Sequence, residues 1–408
     1  MSFPTAPLLP TPRPVDPGRE RWLRVAADVA ARLAPDALAR DRAGAPPFAE
    51  AQVLRDSGLL GLRIPTSAGG AGADLATTFA VLRTIARVDG SIAHLLGYHH
   101  NFVVGSLSDA DPEVSSRVWK ETLEHGWLWA STGSPQDADL VVRRDGDRRT
   151  VSGVKHFATG SRVADRIMGF VVDGETGHRL VVALDPSRTD ELHRRDDWNP
   201  LGQRLSASNG LELREYRIDG QDVLLDLGLD TVARPAWQTL GPLFSQVLFS
   251  WLCLGVAEGA VLAARDYTRT SARPWFHAEV DAASDDPYVL AHYGELVSRL
   301  TAVEALNDRA TAALEHAYAL GTDLDDRTRA DVSTVVAASR VVANETTLAA
   351  VTRVYDVMGA RATDNRFGFD LAWRNIRTLT LHDPQAYKVR DVGAAFLTGA
   401  VPTPSPYR

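Results

Sequence analysis

The chain is predicted to be an α+β protein: an N-terminal helical domain, a central antiparallel β domain and a C-terminal four-helix bundle. Three observations carry this. Apolar residues recur at three- and four-residue spacing through the first third; short β-branched runs separated by Asp-Gly turns fill the middle; long helical patterns with apolar faces follow. Helices and strands are segregated rather than alternating, which argues against a wound β/α sheet. The expected boundaries are a flexible Pro-rich tail over 1–18, helices over 19–125, strands over 126–232 and the bundle over 233–408.

Each region follows from local chemistry. RERWLRVAADVAARLAPDALARD and PFAEAQVLRDSGLLGL have helical spacing, the second stopping at glycine. PTSAGGAGAD is a Gly-rich loop whose Asp74 suits the cap of LATTFAVLRTIARVD. Further helices are expected through SIAHLLGYHHNFVVGSL and DPEVSSRVWKETLEH. WLWAST, DLVVRR, TVSGVK, RIMGFVVD, HRLVVALD and LELREYRID read as strands. Asp145-Gly146, Asp173-Gly174 and Asp219-Gly220 supply turn chemistry between them. Long helices are expected from about Pro242 to Ser271, from Tyr288 to Leu320 and from Asp326 to Gly359, with a last one after Pro384.

Composition narrows the function. The 408 residues are 45% hydrophobic and 24% charged, which excludes a mainly disordered chain. A net charge of -8 gives no basic field for nucleic acid or an anionic membrane. The single cysteine, Cys253, excludes a disulfide framework and a cysteine zinc site. Its apolar stretch is bracketed by Gln246 and Glu258, and the uninterrupted run is shorter than the roughly 18 residues of a membrane span. The opening residues lack a secretory apolar core, so a cytoplasmic protein is expected. Gly69, Gly70 and Gly72 do not match a dinucleotide fingerprint, and no Gly-Lys pair exists for a phosphate-binding P-loop. The one Glu-x-x-His spacing, Glu175 to His178, lies in a turn, which excludes a di-iron bundle; no metal site is expected.

Four segments can carry chemistry. His94 and Tyr98 are four apart on one helical face and can share a ligand; backbone-satisfied core side chains are the equal alternative. Ser131, Thr132, Ser134, Thr159 and Ser161 place hydroxyls at strand ends, and Trp198 can stack on a planar ring, although Ser and Thr are also ordinary turn residues. Arg269 and Arg273 form a guanidinium pair suited to phosphate, or simply a solvated helix end. His382 precedes Asp383-Pro384, where a histidine can act as acid, base or donor; a lone histidine is more often structural.

Together these segments resemble the acyl-CoA dehydrogenase superfamily. GVKHFATGSRVAD is similar to the family's flavin-side loop, and Trp198 to Ser208 resembles the strand pair that follows. WRNIRTLTLHDP resembles the segment that carries the dehydrogenase base, but the Tyr-Glu-Gly-Thr expected there is His382-Asp383-Pro384-Gln385. Asp383 is one methylene shorter than glutamate and is followed by a rigid proline. The stronger resemblance is to the flavin-dependent monooxygenase branch typified by dibenzothiophene monooxygenase, through His94 to Tyr98, Gly359 to Gly368 and Arg374 to Lys388.

That resemblance implies a two-component monooxygenase. A separate flavin reductase supplies reduced FMN (FAD is a possible substitute), and O2 gives a C4a-hydroperoxide that oxygenates a small organic substrate at sulfur, nitrogen or an aromatic carbon. It implies His382, His94, Tyr98 and Thr159 as catalytic residues, with Thr159 or Ser161 near flavin N5 and both histidines donating protons to the peroxide. Ser131, Thr132, Ser134, Trp198, Arg269, Arg361 and Thr363 are implied around the cofactor, the arginines at its phosphate. Leu379 stands where the branch carries a second histidine, making one wall apolar. A homotetramer is implied. The alternative is an acyl-CoA dehydrogenase or oxidase with bound FAD.

Overall fold

The computed structural model describes residues 8–9, 17–107, 109–229 and 233–408. Most of the expected tail over 1–18 and the expected boundary at 232 lie outside these residues. Helices α1 (Pro17–Leu33), α2 (Ala37–Ala43), α3 (Phe48–Asp56), α4 (Leu75–Ala86), α5 (Gly90–His100) and α6 (Pro112–His125) form the first layer. Asp74 caps α4 by accepting from the Thr77 amide at 2.7 Å. Asp89 caps α5 through the Ser91 and Ile92 amides, both at 3.1 Å. It also meets Arg40, at 3.1 Å, so the helix that carries His94 is pinned at its start. α5 runs on as a π-helical segment, Asn101–Ser106.

The middle layer is one eight-stranded sheet: β1 (Trp129–Ser131), β2 (Leu140–Asp145), β3 (Arg148–Lys155), β4 (Arg166–Asp173), β5 (Arg179–Leu184), β6 (Leu192–Arg194), β7 (Leu211–Arg217) and β8 (Val223–Asp226). The order is β6-β7-β3-β2-β4-β5-β8, with β1 on β4. It is mostly antiparallel, as expected, with β1 and β2 both pairing β4 in parallel. Trp198 to Ser208 is not a strand pair: it connects β6 to β7 and contains a single 3-10 turn, Arg204–Ser206.

The C-terminal layer comprises α7 (Gly241–Thr270), α8 (Pro287–Leu320), α9 (Asp326–Met358), α10 (Asp370–Leu379) and α11 (Gln385–Thr398). α7 touches α4, α5, α8, α9 and α10, so it is enclosed all round and must be apolar all round. By length and composition this region can cross a bilayer, which the uninterrupted run in the sequence understates; its apolar window is 94% buried within the molecule. Glu258, midway along α7, is buried against Arg83 and Arg87, with Nε atoms at 2.8 and 2.9 Å. One core joins the N-terminal helices to the bundle, and a second fills the sheet. Cys253 is a buried core thiol.

Candidate active site

α5, α7 and the turn after α10 converge on a cluster of rings. The i, i+4 spacing puts His94 and Tyr98 side by side, with ring centroids 4.8 Å apart. Phe249 of α7 lies 5.4 Å from His94, 5.9 Å from Tyr98 and 4.5 Å from His382. The Tyr98 hydroxyl is 3.5 Å from His382 Nε2, closing the cluster across 284 positions of sequence.

Each polar group has a fixed orientation. His94 Nδ1 donates to Gln203 Oε1 at 3.2 Å, and the Gln203 amide donates to Asn375 Oδ1 at 2.7 Å. Gly202 makes this possible. A Cβ there would sit 2.1 Å from the Arg374 carbonyl oxygen, so only glycine lets the β6–β7 connection lie against α10. Burial lowers the His94 pKa to about 3 despite the Gln203 bond, with His382 adding to the fall. The ring is therefore neutral, with its proton on Nδ1, and Nε2 presents a lone pair that no described residue meets. Burial raises the Tyr98 pKa, keeping that group an O–H donor.

His382 Nδ1 donates to Asp383 Oδ1 at 3.1 Å. The other carboxylate oxygen is 3.0 Å from Lys388 Nζ, and Gln246 Nε2 donates to Oδ1 at 3.3 Å. Burial alone would raise the Asp383 pKa, but the His382 bond and the Lys388 charge outweigh it and hold it well below the carboxylate range. Arg340, fully enclosed, donates to the Leu379 carbonyl at 2.8 Å and lies over Phe249 at 5.1 Å. Leu379 itself is 3% exposed and packs in the main core.

The hydroxyl residues divide. Thr159 Oγ1 is 3.0 Å from Ser208 Oγ, which is 2.8 Å from Ser206 Oγ, so three hydroxyls form a chain. Ser161 is enclosed and its hydroxyl faces the Ala207 and Asn209 carbonyls at 3.3 and 3.2 Å. Thr132 Oγ1 accepts the Phe170 amide, and Ser134 offers its carbonyl to Lys155 Nζ at 3.5 Å. Ser131 Oγ is buried and unpartnered. Trp198 Nε1 donates to the Gln203 carbonyl at 3.0 Å, and its ring meets exposed Phe157 edge-on at 6.1 Å.

Arg269, Arg361 and Thr363 are exposed and stand apart from this cluster. Arg269 ends α7, twenty positions from Phe249, about 30 Å along the helix. Arg361 and Thr363 share the turn after α9, and Phe367, a few residues further on, packs against Tyr267 at the same end of α7. A separate cleft of about 670 Å³, lined by charged side chains including Asp41, Arg204 and Arg374, holds none of the cluster residues. No metal-competent group of His, Cys, Asp or Glu occurs among the described residues.

Sequence reasoning missed Phe249, Gln246, Gln203 and Lys388. Glutamines and a phenylalanine give no local signal, because their partners lie over a hundred positions away.

The family models described as the acyl-CoA dehydrogenase N-terminal and C-terminal domains match residues 21–124 and 247–385. The chain belongs to the acyl-CoA dehydrogenase family. A probable FMNH2-dependent monooxygenase, SfnC from Pseudomonas putida, is 37% identical over 98% of this chain and 99% of its own length. Methanesulfinate monooxygenase MsuC from Pseudomonas fluorescens superposes with a TM-score of 0.89 at 36% identity, covering 97% of this chain and 100% of that one. TdsC from Paenibacillus sp. A11-2, in complex with FMN and indole, gives a TM-score of 0.90 at 32% identity, covering 95% and 100%.

Proposed function

We propose that this chain is the oxygenase component of a cytoplasmic two-component monooxygenase. It receives reduced FMN from a separate flavin reductase and uses O2 to oxygenate a small organic substrate at sulfur, nitrogen or an aromatic carbon. The observation that carries this reading is the commitment of Asp383. A dehydrogenase needs a free carboxylate at the α-carbon of its substrate, whereas the Asp383 side chain is 5% exposed and engaged by His382, Lys388 and Gln246. Imidazole and phenol groups line the cluster instead, a set suited to holding and protonating an oxygen species. The relatives named for FMNH2-dependent and methanesulfinate monooxygenation, and TdsC with its FMN and indole, support the same cofactor and substrate class.

The residues present fit a flavin. Ser131 Oγ, Gln203 Nε2 and His94 Nε2 are buried polar atoms without partners, as heteroatoms of a planar polar ring require. Reduced FMN, when bound, supplies the activation of O2. Ser131 and Thr159 would bond heteroatoms of its ring, Thr132 and Ser134 would shape the adjoining loop, and Trp198 would wall the ring. His94 accepts a hydrogen bond at Nε2, Tyr98 orients the substrate, and His382, aligned by Asp383, delivers a proton from Nε2. Phe249 and the enclosing helices exclude water, which favours oxygen transfer over loss of hydrogen peroxide.

Arg269 and Arg361 hold the FMN phosphate from a second copy. Arg269 is too far along α7 to serve its own cluster, Arg361 lies on the turn after α9 at that same end, and neither guanidinium makes an ion pair among the described residues. A homotetramer assembled through the bundle supplies that second copy.

The test starts with the protein saturated anaerobically with reduced FMN and then mixed with oxygenated buffer containing methanesulfinate, dibenzothiophene or indole. Slower flavin reoxidation than in free solution, together with an oxygenated product, is expected. Reoxidation at the free-flavin rate with only hydrogen peroxide formed, for FMN and FAD alike, would overturn the reading.

A further inference from the structure

The segment after α11 belongs to the site. Gly399, at a φ of 70°, ends the helix in the left-handed region and turns the chain back. Pro402, Pro404 and Pro406 then stiffen the return, so little conformational entropy remains to be lost on docking. From Gly399 to Tyr407 an extended polyproline path covers about 25 Å, ample for the roughly 16 Å of helix back to Lys388.

Three bonds hold the return. Lys388 Nζ, already paired with Asp383, donates to the Tyr407 carbonyl. Arg329, enclosed in the bundle, donates to the Arg408 carbonyl at 2.6 Å. The Arg408 guanidinium meets Asp391 at 2.7 Å. The Tyr407 side chain lies beside Gln136, on the loop between β1 and β2. The Tyr407 ring stands edge-on to His382, with centroids 5.7 Å apart at 77°. The segment therefore bridges the bundle and the sheet directly beside the histidine.

We propose that Tyr407 is a specificity-determining wall of the site: it closes the space over His382, and residues 399–408 lock it there. Its phenol edge favours flat or compact substrates and shields His382 from bulk water. Lys388 couples the closure to the proton-delivering pair, since one ammonium serves both Asp383 and the Tyr407 carbonyl. The substrate-size part of this inference rests on the oxygenase reading; the closure does not.

The test compares Tyr407→Ala, Tyr407→Phe and a chain lacking residues 401–408. In FMN-free protein, diethyl pyrocarbonate labelling of His382 is followed by mass spectrometry. The His382 side chain is 32% exposed, so its labelling is expected to rise about two- to threefold in the alanine and shortened forms, at unchanged melting temperature in the alanine form. Tyr407→Phe, which keeps the ring, is expected to label at the parent rate. With reduced FMN, O2 and indole, Tyr407→Ala is expected to raise KM for indole and the share of oxygen lost as hydrogen peroxide, and Tyr407→Phe to restore KM. Unchanged His382 labelling in Tyr407→Ala would overturn the closure, and that variant decides alone if the shortened chain does not fold. Raised labelling without oxygenation by any form, the parent included, would overturn the oxygenase reading and leave the closure standing.

Discussion

His382 and Asp383 are sequence neighbours whose side chains meet at 3.1 Å, Nδ1 to Oδ1, with Lys388 on the opposite carboxylate oxygen at 3.0 Å. The pair fixes which imidazole nitrogen faces the cluster. It also buries a cation whose only carboxylate contact within ion-pair distance, among the described residues, is Asp383.

Asp383→Asn removes that charge. Breaking a buried pair from one side costs about 3–5 kcal/mol, read by urea denaturation. Adding Lys388→Met is expected to recover most of the stability. Product formation is expected to stay depressed by roughly one to two orders of magnitude in both variants, because the His382 orientation is lost. Full activity in the double variant would refute the positioning role.

His94→Phe keeps the ring volume but removes both nitrogens. Gln203 Oε1 is left unsatisfied, at a cost of about 1–3 kcal/mol. Turnover is expected to fall by about 100-fold or more if Nε2 serves the reaction. Turnover within a few fold of the parent would make His94 a packing residue.

Stability is expected to decline with acid in a range set by three buried histidines. Burial lowers His94 to about 3, His99 to about 4, and His100 well below its ordinary value. Each folded value lies under the unfolded one near 6.5, so the unfolded chain takes up the extra protons. The stability is fully present above about pH 6.5 and is lost as pH falls toward 4. Each group contributes up to about 1.4 kcal/mol per pH unit in that window. Denaturation midpoints at about pH 7.5 and 5.5 measure the slope; equal stability at both would refute it.

Glu258→Gln addresses the ion cluster inside α7. Arg83 and Arg87 both bond this carboxylate at 1% exposure, and neutralising it is expected to cost about 3–5 kcal/mol. Thermal unfolding provides the measurement. A shift within error would place the arginine charges on other partners, of which Glu304 is the nearest for Arg83.

Arg269→Ala is expected to weaken reduced-FMN binding without altering the fold, since the side chain is exposed. Co-expressed with a His382→Ala chain, it is expected to regain part of the activity, because one mixed interface then carries both intact residues. No recovery in the mixture would assign Arg269 no role across the interface.

Much of this was legible in the sequence. The i, i+4 step from His94 to Tyr98 states their adjacency directly, and the Asp74 cap of α4 and the existence of the long helices follow from local chemistry. α10 was passed over because Arg374, Asn375 and Arg377 interrupt its apolar residues, although Ile376 and Leu379 are three apart and both buried. β6 and β8 have three and four residues, too few for alternation to register. The parallel pairing of β1 and β2 with β4 is a long-range choice with no local marker. Gln203 and Tyr407 acquire their surroundings only when distant segments meet, which periodicity cannot express.

The length of α7 carries a further consequence. This helix holds Phe249 near one end and Arg269 near the other, so its pitch acts as a phase setting between them. A single residue inserted between the two would advance Arg269 by about 1.5 Å and rotate it by about 100° relative to Phe249. The intervening helix is buried from Ser250 to Ala264 and has no slack there to absorb such a change. Twenty residues of rigid rod thus make the distance and bearing between the ring cluster and the basic end a quantised property of the chain, adjustable in whole turns but not in fractions.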